Sequence, residues 1–210
     1  LAWCLRGKSL FYLQQYEEAI AAFDAGISLD SKHDDLWYYR GLALEKLHQY
    51  TGAMDSFHRA LTFQSNVPKI WEHLGQVLVK QKRYQEAINA YERTLKLHPH
   101  NPQGWLDRGQ CLSQCERDAE AITSYERGLQ IDPQNYLLWY YRGISLEKLH
   151  RSQDAIESFN QVLQIQPSYA EAWYHKGLSM KHQWQEETIN CFNHAIHLNP
   201  HYIEAWVSRG

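Results

Sequence analysis

Apolar residues recur along this chain at the spacing of amphipathic helices. Trp37, Gly41 and Leu44 mark one apolar stripe, and Ala53 and Phe57 begin a second one shortly afterwards. Side chains separated by three, four or seven residues lie on one face of a helix. The pattern therefore predicts two consecutive helices, each with one apolar face, that pack against each other as a hairpin.

The two-helix pattern repeats along the whole chain. A glycine follows each marker tryptophan by four residues, and the tryptophans stand 34 residues apart except for the last, which comes one residue early. The marker tryptophans are Trp3, Trp37, Trp71, Trp105, Trp139, Trp173 and Trp206. We therefore predict a single array over 1–210, built from six repeats and the start of a seventh. The repeats span about 1–33, 34–67, 68–101, 102–135, 136–169 and 170–202, with 203–210 a partial repeat.

The recurring glycine stands in the middle of the first helix of each repeat. Glycine costs up to ~1 kcal/mol relative to alanine there, so its recurrence requires a packing reason. We expect the second helix to approach closely at this point, with a small residue and an aromatic ring, such as Ala53 and Phe57, in contact with Gly41. Prolines should end second helices or begin first ones. Those expected at helix ends are Pro99, Pro133, Pro167 and Pro200, and those expected at helix starts are Pro68 and Pro102.

Tryptophan, glycine, alanine, an aromatic ring and proline at fixed places in each period resemble the tetratricopeptide repeat (TPR) family. The resemblance implies an all-α fold, a right-handed α-α superhelix (solenoid) of antiparallel helix pairs. Ankyrin and pentatricopeptide repeats fit less well, because the chain has neither a Thr-Pro-Leu-His pattern nor a basic groove. In this chain arginine precedes the glycine of most repeats, where the family has leucine; the arginines are Arg6, Arg40, Arg108 and Arg142.

The sixth repeat differs from the others in length. One residue is missing between Met180 and Phe192, Thr188 stands at the alanine position, and Trp184 lies near the place of a packing tyrosine. We expect the turn of this hairpin to be rebuilt locally.

Charge and hydropathy narrow the class of protein. The chain has 21 Lys and Arg against 24 Asp and Glu, without the basic excess that nucleic-acid binding requires. No apolar run reaches the ~18 residues that would cross a membrane, and no secretory signal is visible. We expect a soluble, cytoplasmic protein.

The two ends of the sequence suggest a fragment of a larger bacterial protein. The sequence begins at Leu1 rather than at methionine, and it stops at Gly210 inside a predicted helix. Stacked repeats need a polar terminal element, so the truncated array should expose apolar faces. We therefore expect end-to-end self-association of the truncated array.

Cysteines and histidines offer the only candidate metal chemistry. Cys111 and Cys115 stand four residues apart on one predicted helix, but the same positions in other repeats hold Ser, Ala, Val, Leu or Gln. We interpret them and Cys191 as packing residues without metal, and we expect Cys4 to face outward. His48 should lie in a hairpin turn and be solvated. No phosphate loop, nucleophile elbow or metalloprotease motif occurs, so the sequence predicts neither an enzyme nor a cofactor.

The candidate binding surface is the face of the first helices opposite the buried stripe. The resemblance implies that these faces line a continuous concave groove that holds a peptide or a partner helix. Positive and negative charges in the groove positions balance, and the Lys and Asn clamp of chaperone-tail binders is missing. The candidate groove residues are Tyr38, Tyr39, Leu42, His73, Asp107, Tyr140, Tyr141, Ile144, Tyr174 and His175.

The sequence thus predicts a protein-protein interaction module, with several alternatives open. The chain could instead be the sensor or regulatory arm of a larger bacterial protease, kinase or NTPase. The groove tyrosines could pack between repeats rather than bind a partner. WYYRGLALEKLH at 37–48 recurs as WYYRGISLEKLH at 139–150, which indicates either a duplicated three-repeat block or a ligand with two similar anchors.

Overall fold

The computed structural model describes residues 2–181 and 185–210. The rebuilt turn expected near Trp184 lies outside the described residues. The described residues form 13 helices and no strand, which confirms the predicted all-α class. They divide into two compact units, Leu1–Pro99 (unit 1) and His100–Gly210 (unit 2).

Each unit consists of consecutive helix pairs joined by short turns. Unit 1 contains α1 (Ala2–Tyr12), α2 (Tyr16–Leu29), α3 (Asp34–Lys46), α4 (Tyr50–Phe63), α5 (Pro68–Lys80) and α6 (Tyr84–Leu97). Unit 2 contains α7 (Pro102–Gln114), α8 (Asp118–Ile131), α9 (Tyr136–Lys148), α10 (Ser152–Ile165), α11 (Ala170–Met180), α12 (Gln185–Leu198) and α13 (Ile203–Arg209). Within a unit each odd-numbered helix up to α11 packs against the next helix as an antiparallel pair. The second helix of a pair packs against the first helix of the following pair, and α13 packs against α12.

The recurring glycine is where the two helices of a pair come closest. A Cβ atom on Gly41 would lie 2.6 Å from Cε1 of Phe57, and one on Gly143 would lie 2.6 Å from Cε1 of Phe159. Both rings are fully buried, as is the small residue Ala53. The same pairing joins Gly7 to Phe23, Gly75 to Tyr91, Gly109 to Tyr125 and Gly177 to Phe192. The predicted close approach is therefore confirmed.

Five of the marker tryptophans tie their first helix to the loop that precedes it. The indole N–H of Trp37 donates to the carbonyl of Ser31 (2.8 Å), and that of Trp139 donates to the carbonyl of Pro133 (3.0 Å). Second helices end two residues before the inter-repeat prolines, and Pro68 and Pro102 are the first residues of α5 and α7. Both proline roles are as predicted.

The arginine before the glycine connects two successive second helices. Arg40 lies over the ring of Trp37 and donates to Asp24 on α2 (2.6 Å) and Ser56 on α4 (2.8 Å). Arg142 repeats this arrangement, over Trp139 and between Glu126 on α8 and Ser158 on α10. Leucine could not make these hydrogen bonds, which explains the departure from the family pattern.

Five hairpin turns in the described part of the chain place a residue other than glycine in the left-handed region. His48 has φ 58° and His150 has φ 56°, and both are exposed. The N–H of His48 donates to the carbonyl of Glu45 (2.9 Å) and that of Gln49 to the carbonyl of Leu44 (2.9 Å), the Schellman pattern that closes a helix. The corresponding turn residues are Gln14, Lys82 and Glu116.

The expectation that Cys4 faces outward is wrong. Cys4 is 5% exposed and belongs to a core cluster with Ala19, Phe23 and Leu36. Its helix α1 packs against α3 as well as α2, so the side of α1 next to the tryptophan stripe is also covered.

The other cysteines offer no assembled metal site. Cys111 and Cys191 are buried and Cys115 is half-buried. In the part of the chain that the structure describes, no three potential ligands come together. Burial, with the nearby charge of Asp107, raises the pKa of Cys111 to about 12, so its thiol is protonated at neutral pH. Within that same part, every helix is too short or too polar to span a bilayer.

Candidate partner-binding sites on the first helices

Four of the candidate residues belong to unit 1 and are here called site I: Tyr38, Tyr39 and Leu42 on α3, and His73, whose ring meets that of Tyr38. Tyr38 and Tyr39 lie on α3, and His73 lies on α5. The ring of His73 stacks on Phe57 (5.9 Å between centroids) and meets the ring of Tyr38 (5.8 Å). Glu45 approaches Nδ1 of His73 at 3.5 Å. Tyr38 therefore occupies the crevice between two successive first helices.

Tyr39 points toward the preceding hairpin. Its ring contacts Phe11 (6.1 Å) and Phe23 (6.2 Å), and Nζ of Lys8 lies 4.4 Å from its centroid. Lys8 also forms an ion pair with Asp35 at 2.7 Å. A lysine of this chain is thus held between a tyrosine ring and a carboxylate.

Five candidate residues come together in unit 2 and are here called site II: Tyr140, Tyr141, Ile144, Tyr174 and His175. His175 stacks on Phe159 (5.8 Å) and meets the ring of Tyr140 (5.8 Å), as in site I. Glu147 contacts Nδ1 of His175 at 2.8 Å, and the ring of Tyr174 lies 5.1 Å from that of His175. The aromatic and histidine arrangement of site I is therefore present again in site II.

Tyr141 of site II and the further candidate Asp107 differ in their surroundings. Tyr141 stacks on Tyr125 of α8 (6.3 Å) and contacts Tyr140 (5.3 Å). Asp107 lies on α7, where the amide of Gln103 donates to it at 2.7 Å. Asp107 thus stands in the first hairpin of unit 2 rather than beside the ring cluster of site II.

The site tyrosines are half-buried, whereas helical spacing alone turns them away from the core. Burial, with smaller contributions from neighbouring groups that include Glu45, raises the pKa of Tyr38 to about 12. Burial also raises the pKa of Tyr140 well above its ordinary value. Both hydroxyls are therefore neutral at physiological pH and can donate and accept hydrogen bonds. Each ring packs on one side and remains partly open on the other.

Sequence reasoning missed a group of tyrosines around site II. Tyr169 and Tyr202 are the residues just before α11 and α13, a place that the helical stripes do not mark. The ring of Tyr169 lies 5.1 Å from Tyr140 and 5.4 Å from Tyr136, and that of Tyr202 lies 5.0 Å from Tyr174. Comparing the residue before each first helix across repeats would have found them, because His33 and Val67 stand there in unit 1.

A buried carboxylate in unit 2 was also missed. Asp118, the first residue of α8, is 6% exposed and accepts hydrogen bonds from Ser113 (2.6 Å) and Ser145 (2.7 Å). Nζ of Lys148 lies 3.6 Å from the same carboxylate. The network connects α7, α8 and α9. The corresponding residues of unit 1 are Tyr16, Tyr50 and Tyr84.

Comparison with protein families identifies the class of protein. Two family models, both described as tetratricopeptide repeat, match this chain over residues 4–68, 73–136 and 136–169. These ranges cover more than half of the chain. They include tryptophans, glycines and aromatic rings whose contacts are described above. The chain belongs to the tetratricopeptide repeat family.

Solved structures show the same fold at low sequence identity. YrrB, described as a TPR protein with an unusual peptide-binding site, aligns with a TM-score of 0.78 and 20% identity over 90% of this chain and 97% of that chain. MamA from Desulfovibrio magneticus RS-1 aligns with a TM-score of 0.73 and 20% identity, covering 80% of this chain and 95% of that one. PilF from Pseudomonas aeruginosa aligns with a TM-score of 0.75 and 16% identity, covering 99% of this chain and 95% of that one. No curated protein sequence matches the chain.

Proposed function

We propose that this chain is a protein-interaction module, in which the first-helix face of each unit binds an extended peptide or a helix of a partner protein. The observation that carries the proposal is the recurrence of one aromatic and histidine arrangement, as site I in unit 1 and site II in unit 2. Membership of a repeat family and the peptide-binding site named for YrrB support it. Asp107 is proposed as a further polar contact on the face of unit 2.

The geometry of the tyrosines suits them as anchors for a peptide. A half-buried tyrosine that is already packed on one side loses little conformational entropy when a partner covers its other side. In site I the rings of Phe57 and His73 hold Tyr38, and in site II Phe159 and His175 hold Tyr140. Their neutral hydroxyls can hydrogen-bond with the backbone of a peptide. Tyrosine is also enriched where proteins bind one another.

The partner is proposed to be a protein rather than a nucleic acid. The net charge of the chain is -3, and a carboxylate contacts the histidine of each site, Glu45 at site I and Glu147 at site II. A phosphate backbone would be repelled by such a surface. A cytoplasmic location stays a prediction from the sequence.

The test is to separate binding from stability at the tyrosines. A pull-down with this chain as bait supplies a partner, and its affinity is then measured for Tyr39→Ala and Tyr141→Ala together with their melting temperatures. An anchor should lose ~2 kcal/mol or more of binding free energy with a small change in melting. Both tyrosines pack on the ring beneath them, Tyr39 on Phe23 and Tyr141 on Tyr125. Tyr141→Ala is the cleaner variant, because Tyr39 also packs on Phe11.

The matched control is Phe63→Ala, which removes an exposed ring at the end of the second helix α4. Its affinity should equal that of the unchanged chain. A large drop in melting temperature for both tyrosine variants, without a specific loss of binding, would mean that these rings serve only to pack the repeats.

A further inference from the structure

Unit 2 contains a cluster of four tyrosines and one carboxylate, here called the tyrosine cage: Tyr140, Tyr169, Tyr174, Tyr202 and Glu171. Glu171 lies in the first turn of α11, about one helical turn before Tyr174. Tyr140 meets Tyr169 at 5.1 Å, and Tyr174 meets Tyr202 at 5.0 Å. His175 lies between the two pairs, 5.8 Å from Tyr140 and 5.1 Å from Tyr174. All four rings are half-buried, so each keeps part of its surface open.

The carboxylate of Glu171 acts on most of the cage. Burial is the main cause that raises the pKa values of Tyr140, Tyr169 and Tyr202, and the negative charge of Glu171 raises all three further. The pKa of Tyr169 rises to about 12. One half-buried carboxylate therefore lies within electrostatic reach of three tyrosines.

No cation of the chain neutralises this carboxylate in residues 2–181 and 185–210. The ion pairs of unit 2 use other acids: His175 contacts Glu147 and Lys148 contacts Asp118. Lys176 lies over the ring of Trp173, 5.4 Å from its centroid. Glu171 takes part in none of these pairs, so in the described residues its carboxylate has no cationic side chain as a partner.

Unit 1 shows what the chain does with a carboxylate at the same repeat position. Asp35 stands four repeats before Glu171, and Lys8 of the preceding hairpin pairs with it at 2.7 Å while lying 4.4 Å above the ring of Tyr39. Four repeats after Lys8 the chain has Ile144 instead of a lysine. Unit 2 thus keeps the acid and adds aromatic rings, but it lacks the lysine that accompanies the acid in unit 1.

We propose that the tyrosine cage binds the cationic side chain of a lysine or arginine in the partner peptide. The inference rests on the proposed function, since it names the partner chemistry for the first-helix face of unit 2. A cation over tyrosine faces is attracted by the ring quadrupoles, and a carboxylate beside them adds a charge-assisted hydrogen bond. Site I has no such cage, because Val67 stands where Tyr169 stands in unit 2. The basic side chain is therefore recognised by unit 2.

The first experiment selects ligands without knowing the natural partner. A displayed library of random dodecapeptides is panned on the full chain, on Glu171→Gln and on the control Glu72→Gln, which removes a carboxylate from the first helix α5 of unit 1. We expect the unchanged chain and Glu72→Gln to enrich peptides with lysine or arginine at one position. Glu171→Gln should lose that preference.

The second experiment measures affinity with one selected peptide, made with its basic residue or with norleucine in its place. Fluorescence anisotropy should give about tenfold weaker binding of the basic peptide to Glu171→Gln, and a similar loss for the norleucine peptide on the unchanged chain. Tyr169→Val introduces the residue that unit 1 has at this position, Val67, and should lower the affinity for the basic peptide by a similar factor. Melting temperatures show whether each variant is folded.

The sharpest variant supplies the missing cation from the chain itself. Ile144→Lys places a lysine where Lys8 stands in unit 1. This lysine should compete with the basic residue of the peptide and lower the affinity for that peptide about tenfold or more.

Two outcomes would overturn the proposal. Enriched peptides without a basic residue, or equal affinity of Glu171→Gln and the unchanged chain for the basic peptide, would refute the cage while leaving the proposed function intact. Failure of every variant to enrich any peptide would refute peptide binding itself, and the cage with it.

Discussion

Units 1 and 2 contain nearly the same twelve-residue segment, at 37–48 and 139–150, in different surroundings. The segments differ only by Leu42 against Ile144 and Ala43 against Ser145. The first tyrosine of each segment packs on the phenylalanine of its own hairpin and on the histidine of the next hairpin, at nearly the same distances in both units. These rings are Tyr38, Phe57 and His73 in unit 1 and Tyr140, Phe159 and His175 in unit 2. The next hairpin supplies a tyrosine to unit 2, Tyr174, where it supplies Glu72 to unit 1. The comparison teaches that a segment determines its own hairpin, while adjacent hairpins determine which surface it offers to a partner.

The largest expected effect tests whether the buried phenylalanine beneath each site contributes equally to stability in the two units. Phe57→Ala and Phe159→Ala each remove a fully buried ring beneath a tyrosine and a histidine, and each should cost about 3–5 kcal/mol of unfolding free energy. Urea unfolding measures both. The two costs should be alike, since the contacts are alike; a small cost in one unit would show that its hairpin can collapse around the cavity.

The second effect concerns the network that unit 2 has and unit 1 lacks. Asp118→Ala leaves the hydroxyls of Ser113 and Ser145 without their acceptor and should cost about 2 kcal/mol. Lys148→Ala should cost less than about 1 kcal/mol, because that side chain is 46% exposed. The double variant Asp118→Tyr with Ser145→Ala recreates the pair Tyr16 and Ala43 of unit 1. This double variant should regain part of the unfolding free energy that Asp118→Ala loses. No recovery would mean that the backbone around α8 accommodates an aspartate but not a tyrosine at this position.

Alkaline pH should destabilise both sites through their half-buried tyrosines. An unfolded tyrosine ionises near pH 10, whereas burial raises the pKa of Tyr38 to about 12 and that of Tyr140 at least as far. Stability that depends on the neutral hydroxyl is therefore complete below pH 10 and is lost as the pH rises from 10 through 12. Tyr38→Phe and Tyr140→Phe should both move alkaline unfolding to higher pH, as followed by circular dichroism. Unchanged pH midpoints in both variants would contradict the burial of these rings.

The smallest expected effect lies in the turns. His150→Gly should stabilise unit 2 by about 0.5 kcal/mol, because the left-handed backbone strains a residue with a Cβ more than glycine loses in entropy. His48→Gly should gain less, since Nδ1 of His48 contacts the hydroxyl of Tyr50 at 2.9 Å and this contact would be lost. Thermal melting of the two variants measures the difference. An equal gain would mean that the contact with Tyr50 contributes nothing.

The sequence was sufficient to predict the parts of the fold that lie within one hairpin. Gly41 over Phe57, the helix ends at the prolines and the solvated turn at His48 all follow from local spacing and backbone chemistry. Contacts between hairpins were harder to predict. Cys4 is buried because α3 covers α1, and the half-burial of Tyr38 depends on His73 of the next repeat.

The parts of the candidate sites that the sequence did not reveal have one cause in common. The helical stripes assign each residue to the inside or the outside of its own helix, so they overlook residues that act through another repeat. Asp118 is satisfied by a serine on α9, and Tyr169 reaches Tyr140 across a repeat boundary. A comparison of equivalent positions across repeats would have marked both as exceptions.

The hydrogen bond from five of the marker indoles to the loop before them has a consequence for how such a chain evolves. The carbonyl that accepts it lies six residues before the tryptophan in every case observed, from Trp37 and Ser31 to Trp206 and Pro200. An insertion in that interval would break the bond, whereas the residue missing from the sixth repeat falls between Met180 and Phe192, outside the interval. Recombination that copies or deletes a stretch of chain from one tryptophan to the next preserves the interval on both sides of the junction. Because the indole bond requires a fixed interval, it favours gain or loss of whole repeats over gradual changes in their length.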